Sequence, residues 1–127
     1  MEKYVIDSTP NTPGIILDPM QHEFRFSGES RPENVRKFYM PVLEWLESYV
    51  NETLQDEARE GKPAFHFSFE YFNSTSAKFI LDIFKLISRL NEARVEPTIR
   101  WYYEEDDEDM LEWGRRCPGC PVLPSIT

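Results

Sequence analysis

The chain has 127 residues, a formal net charge of −9 and an aromatic content of 14%. This length suits a single domain that buries about two thirds of its unfolded surface, and the aromatic content argues against a disordered body. The negative charge argues against binding to nucleic acid or anionic membranes, whose phosphates would repel the chain, and favours basic protein surfaces. No membrane span or signal-peptide core is predicted, so we expect a cytoplasmic protein.

The first predicted elements are a lead-in and a hairpin. Residues 1–13 contain two prolines and no hydrophobic periodicity, which predicts a flexible segment. Residues 15–17 and 23–27 are predicted strands, and the second alternates apolar and polar side chains. The turn-forming residues between these two strands predict that they pair as a hairpin.

A long helix is predicted after Asn34. Its apolar stripe consists of Val35, Phe38, Tyr39, Val42, Leu46, Tyr49, Val50 and Thr53. Pro41 lies inside this stripe and lacks the backbone N–H that a helical ladder needs, which predicts a kink or a broken first turn. The polar residues 52–62 and the following Pro63 end the helix.

The second half of the chain predicts a β-α-β unit followed by a short helix. Residues 64–72 alternate aromatic with polar side chains, as a strand with one buried and one wetter face does. A helix over 74–93, a strand over 96–103 and a third helix around Met110 and Trp113 follow. The element order is β-β-α-β-α-β-α. We therefore predict an α/β fold with about four strands in a domain over 14–116, and a C-terminal tail over 117–127.

The turn between the third strand and the second helix carries a run of helix-capping residue types. They are Asn73, Ser74, Thr75 and Ser76. A hydroxyl at this position faces unpaired backbone N–H groups and the positive end of a helix dipole, where a phosphate is stabilised. Two interpretations follow. The residues only cap the helix, or Ser74 is also a regulatory phosphoacceptor.

Six consecutive carboxylates follow the fourth predicted strand, at residues 104–109. Three interpretations are open. The carboxylates complement the dipole of the third helix, or they bind a divalent cation through oxygen ligands, or they form a docking surface for a basic partner. Because parallel strands of a β-α-β unit end on the same side of the sheet, we expect this acidic run to lie beside Ser74. A phosphate there would add roughly −1.5 to −2 charges to an acidic edge, which suits a switch for partner binding.

The remaining motifs support no catalytic, metal or cofactor site. Cys117 and Cys120 have the spacing of redox and metal sites, but they lie in a proline-rich tail without the two further ligands that zinc needs. His66 lies about 20 Å from the turn at Ser74, given the rise of a strand, so a Ser-His-acid triad through it is not expected. No phosphate-binding glycine motif is present.

Four blocks of residues resemble bacterial proteins of the SiaC type. They are TP and IILDP within residues 12–19, GESRPEN followed by FY, P and WL within 28–46, FEYFNSTSAK at 69–78, and RWYYEEDDEDM at 100–110. The resemblance covers residues 12–113. The family is similar to STAS domains, the fold of anti-sigma factor antagonists. The resemblance therefore implies a single STAS-like domain whose mixed sheet carries helices mainly on one face.

The resemblance also implies a function. Members are non-enzymatic regulatory phosphoproteins. A GHKL-type kinase adds a phosphate to them, and a PPM-type phosphatase removes it. The unmodified form binds an effector, which is a diguanylate cyclase in the SiaC system, so it controls cyclic di-GMP and biofilm formation. The phosphoacceptor follows the Asn of the strand-turn motif, which is Ser74 here, with Thr75 as the alternative because Thr is common at that position.

The predicted partner-binding residues come from the two loops. They are Asn73, Ser74, Thr75, Ser76, Lys78, Tyr103, Glu104, Glu105, Asp106 and Asp107. The alternative function is a small divalent-metal-binding protein or enzyme that uses the acidic run.

Overall fold

One mixed β-sheet organises the fold, and the helices lie in the connections between its strands. The computed structural model describes residues 2–56, 61–93, 95–116 and 122–126. The strands in this part are β1 (Tyr4–Ile6), β2 (Gly14–Asp18), β3 (Glu23–Ser30), β4 (Ala64–Phe72), β5 (Thr98–Tyr103) and β6 (Val122–Ile126). The helices are α1 (Val35–Gln55), α2 (Ser74–Arg89), which a 3-10 turn extends at Leu90–Glu92, and α3 (Glu108–Gly114).

The strands lie in the sheet in the same order as in the sequence. β2 pairs antiparallel with both β1 and β3, and its pairing with β3 confirms the predicted hairpin. β3, β4, β5 and β6 are mutually parallel. The β4-α2-β5 segment is thus the predicted β-α-β unit. Because β3, β4 and β5 point the same way, their carboxyl ends at Ser30, Phe72 and Tyr103 form one edge, which we call the carboxyl rim.

All three helices pack on one face of the sheet. Alternation along the strands places aromatic side chains on this face, where burial of their rings supplies the main stabilising free energy. Three ring pairs join the helices to it: Phe24 with Tyr49 of α1, Phe67 with Phe84 of α2, and Trp101 with Trp113 of α3. The predicted arrangement of helices on one face is therefore confirmed.

The helices bury the stripes that the sequence predicts. In the predicted stripe of α1, Phe38 is partly buried, whereas Val42 and Leu46 are buried. The second helical segment buries Ile80, Ile83 and Leu90. α1 runs without a break through Pro41, which is exposed, so the predicted broken turn is absent. In the part of the chain described above, no helix combines the length and hydrophobicity needed to cross a membrane.

The prediction of about four strands was too low, since the described sheet has six. The additional β1 lies in the segment predicted to be a lead-in, and β6 lies in the segment predicted to be a tail. β1 has three residues, which is too short to reveal a two-residue period, and it forms only by pairing with β2. β6 contains Pro124, which argues against a strand in sequence but is tolerated at a sheet edge.

Candidate functional site

The turn from β4 into α2, residues 73–76, caps the helix as predicted, and Asn73 is the residue that provides the cap. We call this segment the switch turn. Asn73 has an extended backbone, and its side chain accepts a 2.8 Å hydrogen bond from the N–H of Ser76. Ser74 is the first residue of α2, and both Ser74 and Thr75 are exposed. Because Asn73 provides the cap, the Ser74 hydroxyl is not needed for capping and is exposed to solvent.

The N-terminus of α2 lacks the negative charge that would complement its helix dipole. Its first turn contains no acidic residue, although negative charge there is stabilised by the helix dipole. α3 differs, because Glu108 and Asp109 occupy its first turn. A phosphate on Ser74 would therefore supply the negative charge that α2 lacks.

Ser76 faces inward and anchors the turn. Its hydroxyl is fully buried, donates to the backbone carbonyl of Ser30 at 3.1 Å, and accepts from the Ser30 hydroxyl at 2.9 Å. The Ser30 hydroxyl also bonds the Tyr39 hydroxyl at 2.5 Å. Burial raises the pKa of Tyr39 to about 12, although its hydrogen bonds to Ser30 and Ser76 oppose the rise. These bonds hold the switch turn against the end of β3 and against α1.

This burial corrects the prediction that Ser76 belongs to a partner-binding surface. Ser76 has no exposed area through which a partner could contact it. The sequence predicted an exposed Ser76 because it belongs to the run of helix-capping residues. Its side chain instead points toward β3, a strand that lies far away in the sequence. Ser76 is therefore a positioning residue for Ser74.

Replacing Ser30 with alanine tests this anchor. Ser30→Ala removes the hydroxyl that Tyr39 and Ser76 share, and it should lower the free energy of unfolding by about 1–3 kcal/mol, since a buried polar group loses its partner. Urea denaturation measures the loss. Ser88→Ala is the control, because the Ser88 hydroxyl donates to the backbone carbonyl of Lys85 in an exposed hydrogen bond. Equal losses in the two variants would show that the buried network does not stabilise the turn.

The acidic run divides into a structural and an accessible part. Asp107 is the N-cap of α3, where its side chain accepts from the N–H of Met110 at 3.0 Å. Glu104, Glu105 and Asp106 precede this cap and are exposed. The run therefore serves partly to start a helix, since Glu108 and Asp109 lie in the first turn of α3, and the three carboxylates before the cap are exposed outside the helix.

The aromatic core joins the acidic run to the switch turn. Phe72, the last residue of β4, lies 4.9 Å from Trp113 of α3, measured between ring centroids. The Trp101 indole N–H donates to the carbonyl of Met110 at 2.8 Å. A Cβ at Gly114 would lie 2.3 Å from Cγ of Trp101, so only glycine allows this close packing of α3. α3 is thereby held against the end of β4, immediately before the switch turn.

The predicted residues of both loops lie at the carboxyl rim. Within the described residues, no hydrogen bond or ion pair joins Ser74 to the acidic run. Lys78 is exposed one helical turn after Ser74, and Tyr103 is half-buried at the end of β5. Tyr103, Glu104 and Asp107 line a cavity of about 550 Å³ that Phe69 and Glu70 of β4 also line.

Sequence reasoning missed a cation beside the switch turn. The Arg31 guanidinium lies 5.6 Å from the centroid of the Tyr71 ring and forms an ion pair with Glu29. Tyr71 is 47% exposed. The contact exists because β3 pairs with β4 so that Glu29 lies opposite Tyr71, and no local pattern in the sequence indicates that pairing.

A divalent-cation site in the acidic run was the alternative prediction. Across residues 2–56, 61–93, 95–116 and 122–126, no three His, Cys, Asp or Glu side chains converge as metal ligands. Nothing here therefore supports the alternative of a divalent-cation site in the acidic run. Cys117 and Cys120 lie outside the described residues.

Comparisons with known proteins agree with the resemblance in the sequence. The model of the SiaC family of regulatory phosphoproteins matches residues 6–117. An uncharacterized protein of Pseudomonas aeruginosa strain UCBPP-PA14 is 25% identical over 109 residues, which are 84% of this chain and 80% of that protein.

Solved structures of SiaC from Pseudomonas aeruginosa are similar to this chain along their whole length. One is 25% identical with a TM-score of 0.83 and covers 100% of both chains. Apo-SiaC is 23% identical with a TM-score of 0.82, covering 98% of this chain and 99% of that one. SiaC in complex with the diguanylate cyclase SiaD, which it activates, is 22% identical with a TM-score of 0.81, again covering 98% and 99%.

Proposed function

This chain belongs to the SiaC family of regulatory phosphoproteins, and from this premise we propose that phosphorylation of Ser74 switches its binding to an effector protein. The observation that carries the proposal is the exposed Ser74 at the first position of α2, with the cap supplied by Asn73. Thr75 is also exposed and is the alternative acceptor. The protein acts by binding and has no catalytic role of its own.

The proposed effector is a diguanylate cyclase. SiaC of Pseudomonas aeruginosa forms a complex with the diguanylate cyclase SiaD as its activator, and we extend that role to this chain. A GHKL-type kinase would add the phosphate in the cytosol, where ATP is available, and a PPM-type phosphatase would remove it. The unmodified protein is the form that binds.

The exposed position of Ser74 suggests how the phosphate acts. An effector that covers the carboxyl rim would also cover the switch turn, since Phe72 and Trp113 hold the two loops side by side. A phosphate within that interface would lose its hydration, and the cost of this desolvation opposes binding. Phosphorylation would therefore release the effector.

Phosphate mapping tests the acceptor. The protein is co-expressed with the GHKL-type kinase of its source organism, and its peptides are examined by mass spectrometry. We expect one phosphate on Ser74, which the Ser74→Ala variant loses and the Thr75→Ala variant retains. Phosphate on Thr75 alone would move the acceptor by one residue. The absence of phosphate from both residues would contradict the proposed switch.

The acidic run should accelerate association with the effector. Glu104→Gln, Glu105→Gln and Asp106→Asn together remove three exposed charges and leave the cap at Asp107 intact. We expect the association rate to fall several-fold at low salt, because electrostatic steering acts mainly on that rate. The difference from wild type should shrink at high salt. Surface plasmon resonance at two ionic strengths measures both effects.

A charge-matched control separates steering at the rim from a general effect of net charge. Glu44→Gln, Glu47→Gln and Glu52→Gln remove three exposed charges from α1. This control should retain most of the association rate. Equal slowing in the two triple variants would assign the effect to net charge instead of the acidic run.

A further inference from the structure

The face of the sheet opposite the helices is left uncovered. Parallel sheets are usually covered on both faces, yet β3 to β6 carry α1, α2 and α3 on one face only. On the other face, Val5 is 52% exposed and Ile16 is 38% exposed. This face is therefore a large surface that the described part of the chain does not cover.

Two cavities form a groove across this face. They have volumes of about 570 Å³ and 550 Å³. Both are lined by Ser8, Ser27, Ser68 and Tyr102, so they lie side by side, and we call the combined feature the open-face groove. It runs from the β1–β2 edge of the sheet to the carboxyl rim.

Hydrogen bonds orient the His66 side chain in the middle of the groove. The His66 ring lies between two partners, with Nε2 2.8 Å from a Glu23 carboxylate oxygen and Nδ1 3.2 Å from the Tyr102 hydroxyl. The rings of His66 and Tyr102 also stack, with centroids 6.1 Å apart. These contacts preorganise the floor of the groove, so a ligand does not have to order it on binding.

The groove has an apolar end and an acidic end. Val5 and Ile16 line it near β1 and β2, whereas Glu70, Glu104 and Asp107 line it near the carboxyl rim. The described residues show no ion pair of Glu70 or Glu104. Arg25 also lines the groove, and its guanidinium lies 3.9 Å from a carboxylate oxygen of Glu23. The excess of negative charge therefore lies at the carboxyl-rim end of the groove, whereas Arg25 and Arg100 lie on the same face nearer its middle.

We propose that the open-face groove binds a positively charged amphipathic helix of a protein partner. A helix is the element that covers the second face of a parallel sheet in α/β domains. Its apolar side chains would contact Val5 and Ile16, and its Lys or Arg side chains would pair with Glu70 and Glu104. The inference rests on the proposed function in one respect, because we take the partner to be the effector.

Variants inside and outside the groove test the surface. Ser68→Arg fills the centre of the groove, and Glu70→Lys reverses charge at its acidic end. Ser48→Arg and Glu52→Lys make the same charge changes on the exposed side of α1. The groove variants should bind the diguanylate cyclase at least tenfold more weakly than wild type, and the α1 variants should bind like wild type. Thermal melting checks that all four variants remain folded.

A synthetic probe tests the groove independently of the effector. An 18-residue helical peptide of Leu and Lys should bind wild type at least tenfold more tightly than either groove variant, as measured by fluorescence anisotropy. Equal affinity for the groove and α1 variants would overturn the inference. If the peptide discriminates and the cyclase does not bind at all, the proposed function fails while the groove remains a site for a basic helix.

Self-association is the competing outcome. Sedimentation velocity would show whether the wild-type protein is a dimer and whether Ser68→Arg dissociates it. A dimer that this variant dissociates would mean that a second copy covers the groove, and it would overturn the proposal. A monomer, or a dimer that Ser68→Arg leaves intact, keeps the groove free for a partner helix.

Discussion

Truncation of Phe67 to alanine is expected to cost about 3–5 kcal/mol of the free energy of unfolding, the largest effect that we predict for a single residue. Phe67 is fully buried at the centre of the sheet. Its ring stacks on Phe26 at 4.7 Å and meets the edge of Phe84 of α2 at 5.2 Å. The variant loses the burial of an aromatic ring and leaves a cavity between β4 and α2.

Ile16→Ala is the matched control for this effect. Ile16 also lies on a strand, but its side chain points to the open face and is 38% exposed. We expect its truncation to cost less than about 1 kcal/mol, because substitutions on exposed surface have small effects. Urea denaturation of both variants measures the difference. Similar losses would mean that both faces of the sheet are covered in solution.

Ser74→Asp is expected to weaken binding of the diguanylate cyclase about a hundredfold. This corresponds to about 2.8 kcal/mol, since each tenfold change is about 1.4 kcal/mol. The carboxylate places an unpaired charge where the effector covers the switch turn, and desolvation of that charge opposes binding. Ser74→Ala should bind like the unmodified protein and should no longer respond to the kinase. Isothermal titration calorimetry measures the affinity of each variant.

Ser48→Asp provides the control for the switch. It adds the same charge at an exposed position of α1 and should leave the affinity unchanged. If Ser74→Asp and the kinase-treated protein both bind as tightly as the unmodified protein, phosphorylation of the switch turn does not control the effector. The switch turn would then be a helix cap alone.

Local chemistry in the sequence determined the elements around the site. Aromatic and polar residues alternate through 64–72, and this pattern predicts β4 with its observed limits, because side chains of a strand point alternately to its two faces. Asn73 starts α2 at the predicted residue because its side chain satisfies a backbone N–H only three residues away. In each case the interaction that defines the element lies within a few residues along the chain.

Only the tertiary structure decided which of these elements meet. Ser30 and Ser76 are 46 residues apart in the sequence, yet their hydroxyls bond because β3 pairs with β4. That pairing made Ser76 a buried anchor instead of a surface contact. β1 likewise exists only through its ladder with β2, since three residues carry too little pattern to predict a strand.

The sequence by itself therefore determined the secondary structure of β4 and α2, the cap at Asn73, the exposed acidic residues and the family resemblance. The tertiary structure decided the burial of Ser76, the contact of Phe72 with Trp113, and the formation of the open-face groove. The physical reason is the range of the interactions. Capping and alternation act between near neighbours, whereas strand pairing and burial depend on residues that only the folded sheet brings together.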